Sequence, residues 1–300
     1  MNYFLYNPKS NNENNDLNII TENGQNDCQV AMKICLLDLD IAQFATQLSQ
    51  DDRVFICGGD GTLHYFANNS WGIDFPCPLY VIRSGTGNDF LNDIGQKDNS
   101  TFIDIREYLK DLPEGEINGK KRRFLNGIGF GLDGEVCLGV EQYKQKHPKK
   151  KANYATIAVK QLLFTYKGPR VKVTVDGVSK EYDDVWAVST MKGKYYGGGL
   201  MIAPTQERSS GKLSVMVMHG GARLKALSLF AGLSKGSHIK CQRIVEIIEG
   251  DDVRVEADRP STLQIDGEVY LDVTSYAAKT RAALEAQDVS EGAEDAVFSN

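Results

Sequence analysis

Three short stretches of this chain combine glycine with carboxylate or amide side chains in spacings that suit phosphate chemistry. The first is Gly58–Thr62, GGDGT, which follows the apolar run VFIC. Gly58 and Gly59 let the backbone turn sharply and leave its N–H groups uncovered. A helix start just beyond would favour an anion. Asp60 repels phosphate unless a divalent cation sits between carboxylate and phosphate. The same residues equally suit an ordinary βα turn in which Asp60 caps the helix. The second stretch is Ser84–Phe90, SGTGNDF, where Gly85 and Gly87 bracket Thr86, and Asn88 and Asp89 stand at a helix start. Neither stretch is a Walker A loop, since no GxxxxGK[ST] occurs. The third is Gln264–Glu268, QIDGE. In extended backbone, alternation puts Asp266 and Glu268 on one side. With Gly267 in a turn they still lie close. A carboxylate near a hydroxyl and a cation-bound phosphate can act as general base in phosphoryl transfer. DG followed by VYLDV is also a hairpin signal.

The elements around these stretches set where they sit. YFLY at the N-terminus reads as a strand stopped by Asn7-Pro8, and a polar, Asn-rich loop follows. Val30–Leu39 reads as a second strand, Asp40 caps a helix over IAQFATQLS, and Arg53–Cys57 is a third strand leading into GGDGT. Leu63–Asn69 continues as helix, and Leu79–Ile82 is a fourth strand ending at SGTGND. This alternation argues an α/β unit with a mostly parallel sheet. Two glycine turns at the carboxyl ends of neighbouring parallel strands then share one sheet edge, where ligands of open α/β sheets bind.

Beyond that point the pattern changes. RRFLNGIGF reads as a strand entering a glycine-rich turn. NGIGFG lacks the acidic residue and crossover of a dinucleotide fingerprint and reads as close packing. Leu132–Tyr143 and Asn153–Tyr166 read as helices. VKVTV, DVWAVST, KLSVMVM, RIVEIIE, VRVEA, STLQID and VYLDV then form a β series, broken by the helical ARLKALSLFAGL. Short alternating strands of this kind point to an antiparallel sandwich or barrel. The expected organisation is an α/β domain over residues 1–120, a β-sandwich domain over 121–280 and an acidic tail over 281–300. Chain order does not settle whether the tail packs on the first domain.

Bulk properties narrow the function. The 300 residues are 41% hydrophobic and 25% charged, as in globular proteins, and the net charge of −6 argues against a nucleic-acid partner. No run is long enough to span a bilayer, and the N-terminus does not read as a signal peptide, so the expected location is cytoplasmic. The six cysteines form no CxxC pair and read as reduced, buried thiols; the four histidines show no metal spacing.

Taken together, GGDGT, GTGND and the late IDGE, in this order, resemble the diacylglycerol-kinase catalytic family, which includes the bacterial soluble lipid kinases and the sphingosine and ceramide kinases. Asn7-Pro8-Lys9-Ser10 is similar to the family's NPxSG, and GGGLMIAP at Gly197–Pro204 to its GGGMxIxP. The resemblance covers nearly the whole chain. It implies an ATP-dependent, Mg²⁺-dependent kinase acting on a lipid hydroxyl, most plausibly that of diacylglycerol, with the nucleotide between the two domains. Asn7, Ser10, Gly58, Gly59, Gly61, Thr62, Ser84, Gly85, Thr86, Gly87 and Asn88 would line the nucleotide. Asp60 would hold the catalytic Mg²⁺, Asp266 would be the general base, and Glu268 would support it or the metal. The alternatives are another acceptor (phosphatidylglycerol, a sphingoid lipid or NAD) or a binding member with weakened catalysis.

The chain also departs from the family pattern. Asn11 replaces a glycine, and the second strand lacks the usual threonine and the pair after it. Ser210 replaces the aspartate that, with Asp89, helps bind a structural Mg²⁺ in bacterial members. A neutral hydroxyl is a poor substitute, so that site is expected to be weak or absent unless Glu207 or another carboxylate serves. The acceptor implies transient peripheral contact with a membrane, for which Lys120–Arg123 and Lys144–Lys151 are candidate surfaces. Oligomeric state stays open, with a homodimer among the options.

Overall fold

The computed structural model describes residues 1–8, 31–84, 87–147, 154–161, 166–287 and 289. They divide into two compact units, one of Met1–Leu112 with Gly197–Gly199, the other of Pro113–Tyr196 with Leu200–Asn300.

In the first unit, strands β1 (Asn2–Tyr6), β2 (Ala31–Cys35), β3 (Arg53–Gly58) and β4 (Leu79–Arg83) form a parallel sheet in the order β2-β1-β3-β4. All five residues after Arg53 in β3 are buried, as expected of a parallel strand covered on both faces. Helix α1 (Ile41–Ala45) is shorter than the apolar spacing suggested, but its cap is as expected: Asp40 accepts the Gln43 N–H at 2.9 Å. Helix α2 (Asp60–Asn69) buries Leu63, Phe66 and Ala67. Helix α3 (Asp89–Asp93) follows β4 and buries Phe90 and Leu91. A fourth short helix, α4 (Arg106–Lys110), has no counterpart in the sequence reading.

The second unit is an antiparallel β domain. Strands β5 (Glu114–Ile117), β6 (Lys120–Arg123) and β7 (Gly127–Gly131) precede helices α5 (Leu132–Lys146) and α6 (Tyr154–Lys160). Next come β8 (Val171–Val175), β9 (Val178–Tyr182), β10 (Val185–Met191), the pair β11 (Tyr195–Tyr196) and β12 (Leu200–Met201), and β13 (Leu213–His219). Helix α7 (Arg223–Gly232) precedes β14 (Val245–Gly250), β15 (Asp252–Ile265) and β16 (Glu268–Lys279). The main sheet runs β14-β13-β10-β7-β15-β16-β5-β6, with β8 and β9 attached through β15.

Two differences from the sequence reading have physical causes. VRVEA and STLQID are one strand, because β15 continues through Arg259-Pro260 with a register irregularity between Glu256 and Ser261. Its first half pairs with β8 and its second half with β7, so one bent strand serves both. The glycines of GIGFG lie inside β7 and not in a turn. Their face is filled by neighbours: an added Cβ would meet Met191 at Gly127, Asp133 at Gly129 and the Tyr166 hydroxyl at Gly131. Ile128 and Phe130 point the other way, into a core with Val188, Val215, Val217, Leu263 and Ile265. The opposite faces of β10 and β13 carry Trp186, Met191, Met216 and Met218, against which Ala226 and Leu229 of α7 pack.

Candidate active site

The two glycine turns of the first unit are locked together. Gly59 caps α2 in extended backbone, and Asp60 is the helix's first residue. The Asp60 N–H donates to the Gly87 carbonyl at 3.0 Å. Its carboxylate accepts the Asp89 N–H at 2.8 Å and the Phe90 N–H at 3.1 Å, which are orphan donors at the start of α3. Asp60 therefore belongs to the first turn and caps the helix of the second. A Cβ on Gly59 would stand 2.3 Å from the Gly87 oxygen, whereas one on Gly61 would meet nothing within 4 Å. Only glycine fits the first position, and open space lies over the other. Thr62 donates its N–H to the Gly59 carbonyl at 3.0 Å, and its hydroxyl receives the Asn7 amide at 3.4 Å. Gly58, Gly59, Asp60, Gly61, Thr62, Ser84, Gly87 and Asn88 are thus assembled along β3, β4 and their turns, with Asn7 just past β1. Ser10, Gly85 and Thr86 lie outside the described residues.

Asp89, itself buried, turns its carboxylate to a different partner. Its oxygens accept the N–H groups of Gly198 at 2.8 Å and Gly199 at 2.6 Å. Gly197, Gly198 and Gly199 have φ of 67°, 85° and 101°, a run of left-handed backbone open only to glycine. Such a run turns successive N–H groups toward one anion. The Gly-Gly-Gly segment is therefore a nest for the Asp89 carboxylate. Ser210, exposed in a short 3₁₀ turn, accepts the Lys212 N–H at 3.2 Å. Among the described residues no three His, Cys, Asp or Glu side chains gather as a metal cluster. Both Asp89 oxygens thus serve the glycine segment, and Ser210 bonds within its own turn. Mg²⁺ typically uses one or two carboxylates and completes its shell with water and substrate phosphate. Asp60 is a carboxylate of that kind, next to the open space at Gly61.

In the second unit Asp266 and Gly267 form a two-residue hairpin turn, with Ile265 opposite Glu268 and φ of 45° and 94°. This is the twist that short hairpins favour. The Asp266 carboxylate faces backbone N–H groups. Asp266 Oδ2 accepts the Leu125 N–H at 2.6 Å, and Oδ1 accepts those of Asn126 at 2.9 Å and Gly127 at 3.1 Å. The turn is thereby clamped to the start of β7. Buried Arg208 braces the same backbone, donating to the Leu125 carbonyl and, at 3.2 Å, to Asn126 Oδ1. Glu268, in contrast, opens β16 exposed. Beside it, Tyr270 has its hydroxyl pKa raised, first by burial and then by the Glu268 charge, while Arg122 pulls the other way.

Sequence reasoning missed Arg208, Arg122 and Tyr270 here. Arg122 lay within a basic run read as a surface, and Arg208 sits in a polar segment without any motif. A further buried cluster lies along the glycine face of β7. Asp133, in the first turn of α5, accepts hydrogen bonds from Tyr196 and, at 2.8 Å, from Ser189. Burial raises the Asp133 pKa against those hydrogen bonds. The Gly129 position brings Asp133 and Gln264 onto one patch, and Gln264 Oε1 accepts the Gly267 N–H at 2.7 Å.

Comparison with known proteins agrees with both units. Residues 2–115 match the diacylglycerol kinase catalytic domain, and residues 126–285 match the YegS C-terminal NAD kinase beta sandwich-like domain. A diacylglycerol kinase of Mycobacterium tuberculosis is 26% identical over 200 residues, covering 64% of this chain and 63% of that protein. A diacylglycerol kinase of Bacillus subtilis is 24% identical over 238 residues, covering 78% of this chain and 77% of that one. A crystal structure of a Bacillus anthracis diacylglycerol kinase has the same fold, with a TM-score of 0.60 at 18% identity over 93% of each chain.

Proposed function

We propose a function from one premise: the chain belongs to the diacylglycerol kinase family. It transfers the γ-phosphoryl group of ATP to a lipid hydroxyl, and the acceptor is diacylglycerol, giving phosphatidic acid. The observation that carries this reading is the Asp60 carboxylate, which holds the second glycine turn in register with the first. Two turns so joined supply backbone N–H groups and open space at Gly61 for a chain of phosphates. Gly59, Gly61 and Thr62 line that path, with Asn7, Ser10, Ser84, Gly85, Thr86, Gly87 and Asn88 along the nucleotide. Asp60 would hold Mg²⁺ here, and the ion would supply charge neutralisation at the phosphates.

In this reading Glu268 takes the role of base that the sequence expectation gives to Asp266, and Asp266 positions it. A general base needs a lone pair that can reach the proton it takes. Asp266 commits its carboxylate to three backbone N–H groups, while Glu268 is exposed at the next residue but one. As the acceptor oxygen attacks the γ-phosphorus, its proton passes to Glu268, and the bond from phosphorus to the bridging oxygen of ADP breaks in line. Positioning and charge stabilisation do most of the work in such a transfer.

The test is a competition for labelled γ-phosphoryl among diacylglycerol, phosphatidylglycerol, ceramide, a sphingoid base and NAD. Label entering diacylglycerol first supports the assignment. Label entering another lipid keeps the kinase reading and moves the acceptor. Label entering NAD, or only ATP binding without transfer, overturns it.

A further inference from the structure

The stretch from Arg208 to Val245 contains no aspartate or glutamate, although the chain has 40 acidic residues and a net charge of −6. Some of its cations are already used. Arg208 is buried against Leu125, Lys212 pairs with Asp251, and Arg223 donates to the Tyr166 carbonyl and lies over the Trp186 ring. Lys225, Lys235, Lys240 and Arg243 are exposed and have no ion pair among the described residues. Lys225 sits on α7, Lys235 and Lys240 on the two short 3₁₀ turns after it, Leu233–Lys235 and Ser237–Lys240, and Arg243 in the turn that follows; the helix and the two 3₁₀ turns pack against one another. Glu246, just past the stretch, is paired with Lys180.

Helix α7 is apolar on more than its inner face. Ala226 and Leu229 are buried in the core, and Leu227 and Phe230 are half-buried beside them. Leu224 is 75% exposed, next to Lys225. A lone exposed leucine is ordinary, but this one stands beside Lys225, with three more unpaired cations and no acid in the turns that follow, which suits an anionic interface. The basic runs marked by the sequence are weaker candidates. Lys121 and Arg123 both pair with Glu114, and Lys149, Lys150 and Lys151 lie outside the described residues.

We propose that α7 and its following turns dock the protein on an anionic bilayer. Leu224 enters the headgroup layer, and Lys225, Lys235, Lys240 and Arg243 meet lipid phosphates. The inference rests on the reading that the acceptor is a membrane lipid, because such an enzyme must rest on the surface that holds its substrate. Charge complementarity selects the occupant, since an anionic surface satisfies four cations while the headgroup region accepts the leucine.

The test is sedimentation of the purified full chain with vesicles, without ATP or acceptor. One set is phosphatidylcholine, the other phosphatidylcholine mixed with phosphatidylserine. The wild type is expected to bind the mixed vesicles, to leave the neutral ones in solution, and to be released by high salt. Leu224→Glu, and separately Lys225→Glu with Lys235→Glu, are expected to lower binding roughly tenfold or more with unchanged thermal unfolding. Their kinase activity on acceptor in neutral detergent micelles is expected to match wild type. Wild-type indifference to anionic vesicles, or binding by folded variants equal to wild type, overturns the docking surface, including the case where the face binds another protein instead. Micellar transfer separates the two readings. Vesicle binding without any transfer contradicts the kinase and leaves the docking surface standing.

Discussion

At Gly59 and Gly61 two nearby glycines differ in what a methyl group would meet, and that difference separates folding from binding. Gly59→Ala forces a Cβ to 2.3 Å from the Gly87 carbonyl. The expected cost is about 1–3 kcal/mol, seen as a lower thermal midpoint together with lost ATP binding. Gly61→Ala meets no protein atom within 4 Å. Its thermal midpoint is expected to hold while ATP affinity falls, because the methyl enters space assigned to the phosphates. Equal ATP affinity in Gly61→Ala would remove the phosphates from that space. Asp266 and Glu268 separate in the same manner. Asp266→Asn gives up a charged acceptor of three N–H groups and is expected to lose about 1–3 kcal/mol of stability in urea titrations. The sequence identifies Asp60 and Asp266 as residues that matter. It does not say what they touch, since the Asp266 partners stand about 140 residues away and the Gly198 partner of Asp89 stands 109 away.

Among the elements, what was legible depended on which forces form them. Strands β3 and β4 are buried parallel strands whose sequence is itself a short apolar run, so they and their turns could be read directly. The hairpin at Asp266-Gly267 was legible for a local reason, the turn chemistry of DG. Strands β5, β6 and β9 were not. EGEI, KKRR and VSKEY are largely polar, and their hydrogen bonds come from neighbours chosen by the whole domain. The 3₁₀ turn at Ser237–Lys240 was equally hidden, yet it places a titratable group in the core. His238 donates Nε2–H to the Ile202 carbonyl at 2.9 Å, and its buried Nδ1 has no partner among the described residues. Burial lowers its pKa below the usual 6.5. The unfolded chain therefore takes up a proton at higher pH than the folded one. The corresponding stability is complete above 6.5 and is lost as pH falls below it. His238→Gln keeps a donor but cannot titrate, and is expected to flatten the fall in urea midpoint below pH 6.5. An unchanged pH profile would mean that His238 does not contribute to it.

For the whole molecule, charge is divided more sharply than its net value shows. A chain of net charge −6 keeps one long stretch, from Arg208 to Val245, free of acid. No described helix is long and apolar enough to cross a membrane. On the proposed docking, salt is expected to weaken contact with anionic vesicles while leaving transfer in neutral micelles unaffected. The proposed nucleotide turns belong to the first unit, and the proposed base and its clamp to the second. The most direct measurement is transfer of labelled γ-phosphoryl from ATP to diacylglycerol in neutral micelles with Mg²⁺, comparing wild type with Glu268→Gln. Labelled phosphatidic acid is expected from the wild type. Glu268→Gln should lose about 10²-fold or more in rate at an unchanged thermal midpoint. Equal rates for the two proteins, or no label in lipid from the wild type, would contradict the account.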